Sequence, residues 1–202
     1  LTADSFKDIG DFIKREAARY DRKLDTAVVI QVARPLTLMP PALPTESSGL
    51  GVALWSLKMR WWSFRNGGQD GLAPDDIRMF VLYRKNQPNT KLERSVGMKN
   101  GSYGIVNAVA SRANAARNRI VISHELMHIL GASDKYDRYT GQPLAPEGLA
   151  NPQQSPLFPQ RHAEIMAGRV ASSATRWRRP ASLKSCVVGA KTALEIGWLA
   201  GP

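Results

Sequence analysis

Two histidines and a glutamate lie close together in the middle of the chain, in the pattern His124-Glu125-x-x-His128. The surrounding residues are mostly apolar and helical in character, so a spacing of four residues places both imidazoles on one face. Such a pair can hold one metal ion, and Glu125 can reach a metal-bound water without being a ligand. The alternative is a core helix with two hydrogen-bonded histidines. Because the chain has only three histidines, the metal-binding interpretation is favoured.

A third ligand is expected just after this pattern. Gly131 follows His128 by three residues, where a helix can stop because glycine readily adopts the left-handed conformation. Asp134 follows three residues later and offers an oxygen to the same ion, which gives the three protein ligands that catalytic zinc needs. His162 and Glu164 are the alternative third ligands, since loop residues can reach a site from many positions. The predicted zinc ligands are His124, His128 and Asp134.

The longer pattern His124-Glu125-x-x-His128-x-x-Gly131-x-x-Asp134 resembles the metzincin metallopeptidases, in the snapalysin-like variant that has aspartate in place of the third histidine. Continued through Tyr136 and Asp137, it is also similar to the immune inhibitor A-type secreted peptidases. The resemblance covers about residues 102 to 169. It implies a Zn²⁺-dependent peptidase for protein or peptide substrates, with a mixed twisted sheet, an active-site helix and a loop-rich C-terminal subdomain.

Metzincins also have a methionine turn beneath the metal, and the resemblance assigns this turn to residues 164 to 169, with Met166. Several members place a tyrosine two residues after this methionine. Here Gly168 stands at that position, so the role is vacant or belongs to Tyr136 or Tyr139. The resemblance further implies that a hairpin before the zinc helix offers its edge to an extended substrate, although an ordinary hairpin fits the sequence equally well.

Hydrophobic periodicity and turn residues predict the elements that position this site. They are a helix at 3–23, a buried strand at 27–33, a proline-rich loop at 34–48, a helix at 49–66, a strand at 77–83, a hairpin of 91–98 and 102–110, the zinc helix from Ser111 or Asn114, an irregular segment after Asp137, and a helix at 182–198. This order predicts one α/β or α+β domain over residues 1–202. Its N-terminal subdomain covers about residues 1–131 and its C-terminal subdomain about residues 132–202.

Three further features have a structural and a functional interpretation. The second helix has an apolar side that we expect to pack on the sheet, although its tryptophans and basic residues also fit a membrane or nucleic-acid surface. The basic cluster at 176–179 is interpreted as a solvated turn or an anion site. Cys186 is interpreted as a packed thiol rather than a nucleophile. The expected packing side of the second helix consists of Leu50, Ala53, Leu54, Leu57 and Trp61.

The composition is that of a soluble globular protein, with 43% apolar and 22% charged residues, but the formal net charge of +11 is unusual. The charge predicts an acidic partner, such as an anionic membrane surface or a cell-wall polymer, with nucleic acid less favoured; the alternative is that it serves solubility alone. A single cysteine excludes an intrachain disulfide, and no apolar run approaches the roughly 20 residues that span a bilayer. Because the chain begins with Leu1 rather than Met, we expect a processed or trimmed chain, with any signal peptide or anchor upstream. The expected location is extracytoplasmic: secreted, periplasmic or in a membrane-anchored ectodomain.

The function predicted from the sequence is that of a zinc-dependent endopeptidase in which Glu125 acts as the general base. One alternative is a basic, nucleic-acid-associated zinc protease. The other is a zinc-binding regulatory domain without catalysis, against which the intact Glu125 counts, because a site kept only for structure needs no base.

Overall fold

The computed structural model of the protein describes residues 1–24, 28–44, 49–67, 76–85, 93–98 and 102–200. The fold mixes helices and strands, which agrees with the predicted α/β class. The helices are α1 (Lys7–Ala18), α2 (Gly49–Gly67), α3 (Ala115–Leu130) and α4 (Ala190–Glu195). The strands are β1 (Arg78–Lys85), β2 (Val96–Met98), β3 (Tyr103–Ala110), β4 (Ala163–Glu164), β5 (Val170–Ala171), β6 (Trp177–Arg178) and β7 (Cys186–Val187).

A three-stranded sheet in the order β1-β3-β2 separates the two long helices. Strand β3 is central, parallel to β1 and antiparallel to β2. Because side chains alternate along a strand, Tyr103 and Ile105 face a cluster that contains α2, whereas Val106 faces the main core with α3. The predicted strand near residues 77–83 and the pairing of the predicted hairpin are confirmed. The hairpin turn at 99–101 lies outside the described residues.

Helix α3 fulfils the prediction for the metal-binding pattern. A single 3-10 turn, Arg112–Asn114, leads into it, and Gly131 ends it in the left-handed conformation with φ +114°. Its buried residues include Ile122 and Met127, which pack into the main core with α1 and with residues from beyond position 131. One continuous core therefore holds the helix on the sheet and joins it to the C-terminal part of the chain.

The C-terminal part of the chain is built from short pieces. Strand β4 pairs in parallel with β7, and β5 pairs antiparallel with β6. Between α3 and β4 the chain is irregular, as predicted, with isolated bridges such as Tyr136 to Pro143 and Leu149 to Ala163. Among the described residues, no helix combines the length and the apolar character that crossing a membrane requires.

Two predictions for the N-terminal part are wrong in extent or type. The first helix ends at Ala18 instead of residue 23, because a turn follows in which Asp21 has φ +53°. The predicted strand at 27–33 is absent from residues 28–33, which form no ladder with another described strand. Val28 and Ile30 pack on the core while Val29 is exposed, so the alternation is present without a partner strand.

Helix α2 forms where predicted, but the side expected to pack on the sheet is the exposed one. Trp55, Met59 and Trp62 are the buried residues, and Trp62 meets Phe80 of β1 edge-on, with ring centroids 5.0 Å apart. Both sides of this helix are rich in large apolar residues, so periodicity alone does not distinguish them. The side that was expected to pack is exposed at Leu50, Ala53, Leu54, Leu57 and Trp61.

The predicted closing helix at 182–198 is also wrong. The backbone of Cys186–Val187 pairs with β4 instead, and only Ala190–Glu195 is helical. Likewise, the basic cluster at 176–179 is not a simple solvated turn, because Trp177–Arg178 pairs with β5. Cys186 is fully buried, and burial raises the pKa of its thiol to about 12, which confirms the prediction of a packed thiol.

Candidate metal centre

Helix α3 and the segment that follows it bring three potential ligand atoms to one point. The Nε2 atoms of His124 and His128 are 3.1 Å apart. The Oδ1 atom of Asp134 lies 3.3 Å from the first and 3.0 Å from the second. The three side chains are partly buried and form a group that could hold a metal ion. The structure thus brings together the three residues that the sequence spacing selected.

The backbone fixes the orientation of both imidazole rings. Nδ1 of His124 lies 3.0 Å from the carbonyl oxygen of Ile165, and Nδ1 of His128 lies 2.8 Å from that of Ala132. Because a carbonyl oxygen can only accept a hydrogen bond, each Nδ1 must carry the ring hydrogen. In a neutral ring of this tautomer, the Nε2 atom carries an unprotonated lone pair. This is the form of imidazole that binds metal ions through Nε2.

Three lone pairs therefore point at one another: two from imidazoles and one from a carboxylate. Acceptors at about 3 Å repel unless a cation lies between them, and either a proton or a metal ion can play that part. Two nitrogens and one oxygen match the donor sets of catalytic zinc, which keep one coordination position open. The residues present therefore fit a metal ion of this kind.

The titration behaviour of the cluster has the same origin. Burial raises the pKa of Asp134, but the hydrogen bonds and charges of the two imidazoles outweigh burial and hold it well below its usual range. Burial lowers the pKa of His128, but its hydrogen bonds to Asp134 and to the Ala132 carbonyl raise it overall. Both directions indicate a place where positive charge is stabilised.

The two neighbours of Asp134 in sequence are held by a carboxylate from the far end of the chain. Glu195, the last residue of α4, accepts hydrogen bonds from the backbone N–H and the hydroxyl of Ser133, both at 2.9 Å. It also pairs with the buried ammonium of Lys135 at 2.7 Å. The residues on either side of Asp134 are therefore tied to α4, which fixes the segment that presents this ligand to the histidines.

Glu125 differs from the ligands in its surroundings. Its side chain is buried, and its Oε2 atom has no hydrogen-bond partner. Burial raises the pKa of Glu125, with the charges of the two histidines opposing the rise. A buried carboxylate oxygen without a hydrogen-bond partner costs stability, and such atoms occur where the group is catalytic or binds a water molecule. The Oε2 atom of Glu125 is therefore available to accept a proton.

The segment Glu164 to Gly168 forms a tight turn against α3. The carboxylate of Glu164 is fully buried and accepts hydrogen bonds from the backbone N–H groups of Met166 and Ala167, at 2.5 and 2.9 Å. It also accepts from the N–H of Gly189 and the hydroxyl of Thr192. This turn presents the Ile165 carbonyl to His124 and buries Met166 completely, so it forms the floor of the site.

The structure also distinguishes among the candidate third ligands and between the two candidate tyrosines. His162 is exposed and lies outside the cluster, and all four contacts of the Glu164 carboxylate are to protein donors. Among the described residues only the cluster with Asp134 has the geometry of a metal site. Of the tyrosines, Tyr136 has its ring 6.4 Å from the His124 ring, whereas Tyr139 is 99% exposed. Tyr136 is therefore the tyrosine beside the site.

Strand β2 comes close to the same helix. A Cβ atom at Gly97 would overlap the carbonyl oxygen of Glu125 and press on the Cβ of His128. Among the described strands, β2 has a neighbour only on the side of β3. The outer edge of the sheet therefore runs directly beside the candidate metal ligands.

Family models, curated proteins and solved structures contain no match to this chain. The geometry of the cluster is therefore the basis on which a function is inferred.

Sequence reasoning missed the groups that orient the ligands. The carbonyl groups of Ile165 and Ala132 leave no signal in the sequence, because every residue has a carbonyl. Glu195 is distant in sequence from Ser133, and the closing segment was predicted to be a longer helix. The apolar turn around Met166 was the one signal present, and it came from the resemblance rather than from periodicity.

Proposed function

We propose that this protein is a zinc-dependent endopeptidase that hydrolyses peptide bonds in protein or peptide substrates. The observation that carries the proposal is the convergence of three lone pairs, from His124, His128 and Asp134, within 3.0 to 3.3 Å of one another. Two imidazoles and one carboxylate are a donor set of catalytic zinc sites, and they leave a coordination position open. A metal ion such as zinc, held by these three residues, would acidify a bound water and polarise the scissile carbonyl.

Glu125 supplies the proton transfers in this proposal. Its unpartnered, buried oxygen accepts a proton from the attacking water and then delivers it to the nitrogen of the leaving amine. Burial raises the pKa of this carboxyl towards neutral pH, which suits a group that must both accept and release a proton. The same atom argues against a purely structural metal site, which has no need of a buried carboxylate without partners.

The resemblance to metzincins gains support from three independent features of the fold. Gly131 ends the metal-binding helix in the left-handed conformation, the turn at Met166 lies under the histidines, and the edge strand β2 lies beside α3. An extended peptide could add to the free edge of β2 through main-chain hydrogen bonds and so reach Glu125. We therefore propose that the α/β fold of this chain is of the metzincin type.

The test of this function combines metal content with hydrolysis. Purified protein should contain one zinc per chain by elemental analysis, and it should cleave peptides from a degenerate library. Glu125→Gln should keep the zinc and reduce hydrolysis by about 10²–10⁴-fold, because an amide cannot accept the proton of water. Glu147→Gln, at an exposed glutamate outside the site, serves as the matched control. Equal cleavage by the parent and Glu125→Gln would overturn the proposal.

The expected partners and location remain predictions. The formal charge of +11 still favours an anionic surface over a neutral one, and a protease acting on DNA-bound proteins would show steeply salt-dependent DNA binding.

A further inference from the structure

A cavity of about 220 Å³ opens beside the metal-binding cluster. His124 and Tyr136 are among its lining residues, so the cavity adjoins the position where a reacting bond would lie. Its walls come from the first three turns of α3, from the turn that contains Ile165 and Gly168, and from the segment after β6. A side chain next to the reacting bond could enter this space.

Three arginines line the cavity: Arg117 from α3, Arg169 after the turn, and Arg179 after β6. None of the lining residues is an aspartate or a glutamate. In the part of the chain that the structure describes, no carboxylate forms an ion pair with any of the three. Three positive charges therefore surround one cavity without a neutralising partner.

Arg169 is held ready for a ligand by its neighbours. Its guanidinium lies over the ring of Trp177 at 4.5 Å from the centroid, and one terminal nitrogen donates to the Gly168 carbonyl at 2.9 Å. Its Nε atom is buried and has no partner. Stacking on an aromatic ring keeps the planar fork of an arginine fixed, so little rotamer entropy is lost when it binds an anion.

The three charges also destabilise one another. Desolvation lowers the pKa of Arg117 and of Arg169, and the nearby charge of Arg179 lowers both further. A bound anion would relieve this repulsion and would supply acceptors for the guanidinium groups. Neutral or basic groups would leave the repulsion in place.

From this geometry we infer that the cavity binds a carboxylate of the substrate, next to the bond that is cleaved. The inference rests on the proposed peptidase function, which it deepens by naming the substrate class: peptides with an acidic residue adjoining the scissile bond. The carboxylate can come from an aspartate or glutamate side chain or from a free C-terminus. Arginine forks match the planar carboxylate and form charge-assisted hydrogen bonds with it.

The test measures binding separately from cleavage. The host is the Glu125→Gln protein, and the probes are two fluorescent pools of degenerate octapeptides, identical except for Asp or Asn at the fourth position. Fluorescence anisotropy should give roughly tenfold tighter binding of the Asp pool, in line with a hydrogen bond to a charged group. Repeating the measurement with amidated and free C-termini distinguishes the side-chain carboxylate from the terminal one.

Arg179→Gln added to the host should abolish most of this preference. Because Arg179 is exposed on a loop, its replacement leaves the core intact. Arg178→Gln is the matched control. It removes the same charge one residue away, and the Arg178 side chain does not line the cavity. Equal binding of the Asp and Asn pools, or equal loss of preference in both variants, would overturn the inference.

The two proposals fail in different ways. If the parent protein cleaves peptides without preference for acidic residues, the carboxylate pocket is wrong and the peptidase stands. If the Asp preference depends on Arg179 but the parent cleaves no peptide, the pocket stands and the peptidase is wrong.

Discussion

The two long helices lie on opposite faces of the sheet and differ in what covers them. Helix α3 is surrounded by β3, α1 and the turn at residues 164–168, and its two histidines are oriented by backbone carbonyls. Among the described residues, helix α2 is covered on the side of Trp55, Met59 and Trp62, while Phe64 is 80% exposed. Both helices are rich in apolar residues, but in the described part of the chain α3 is the more enclosed of the two.

This difference shows what an apolar helix requires before it can carry chemistry. A ligand side chain has to be held from several directions, because a metal site tolerates little displacement. The surroundings of α3 provide this with groups from three separated parts of the chain. The described residues contact helix α2 from one direction, so substitutions on its two sides should differ strongly.

The largest effect is expected from a ligand on α3. His128→Ala leaves two ligands, so zinc affinity should fall by more than the roughly 10–100-fold that follows the loss of an outer-shell partner. Competition against a chromogenic chelator measures this loss. His162→Ala, at the exposed third histidine, should leave affinity unchanged. If His162→Ala weakened binding as much as His128→Ala did, the ligand assignment would be wrong.

On α2 the contrast lies between two neighbouring positions. Met59 is fully buried, and Met59→Ala should lower the free energy of unfolding by about 2–5 kcal/mol through lost contacts and a cavity. Leu57→Ala removes a side chain that is 62% exposed and should change it by less than about 0.5 kcal/mol. Urea denaturation followed by tryptophan fluorescence compares the two. Similar losses would mean that something covers the outer side of α2 in solution.

A smaller effect is expected from the residue that holds Asp134 in place. Glu195→Ala removes the acceptor for Ser133 and the partner of Lys135, so the ligand segment loosens. Zinc affinity should fall by roughly tenfold. The far-ultraviolet circular dichroism should stay the same, because Glu195 is the last residue of α4 and the buried residues of that helix are Thr192 and Ala193. Glu147→Ala is the control. Unchanged affinity in Glu195→Ala would show that Asp134 needs no support from α4.

The sequence predicted the ligands because they lie within eleven consecutive residues whose geometry one helix and one glycine determine. It predicted less where distant segments decide the structure. Residues 28–33 alternate like a strand, but a strand also needs a partner, and none of the described segments pairs with them. Cys186–Val187 lies within a helical apolar pattern, yet pairing with β4 prevails there.

The packing side of α2 illustrates a different limit. Its apolar residues nearly surround the helix, so the local pattern gives no preferred direction. Which side becomes buried depends on the shape of the sheet that receives it, and the aromatic contact between Trp62 and Phe80 belongs to two elements at once. Tertiary contacts of this kind are absent from any local window of sequence.

Gly97 places a limit on how this protein can change. Its missing side chain lets the strand at the sheet edge approach the backbone of α3 closely, since an added Cβ atom would overlap the carbonyl oxygen of Glu125. In a library randomised at this position and selected for an intact site, glycine should be nearly the only survivor. At Gly49, where an added Cβ meets nothing within 4 Å, many residues should pass the same selection. The close packing of strand β2 on helix α3 thus depends on the absence of a Cβ atom at this position.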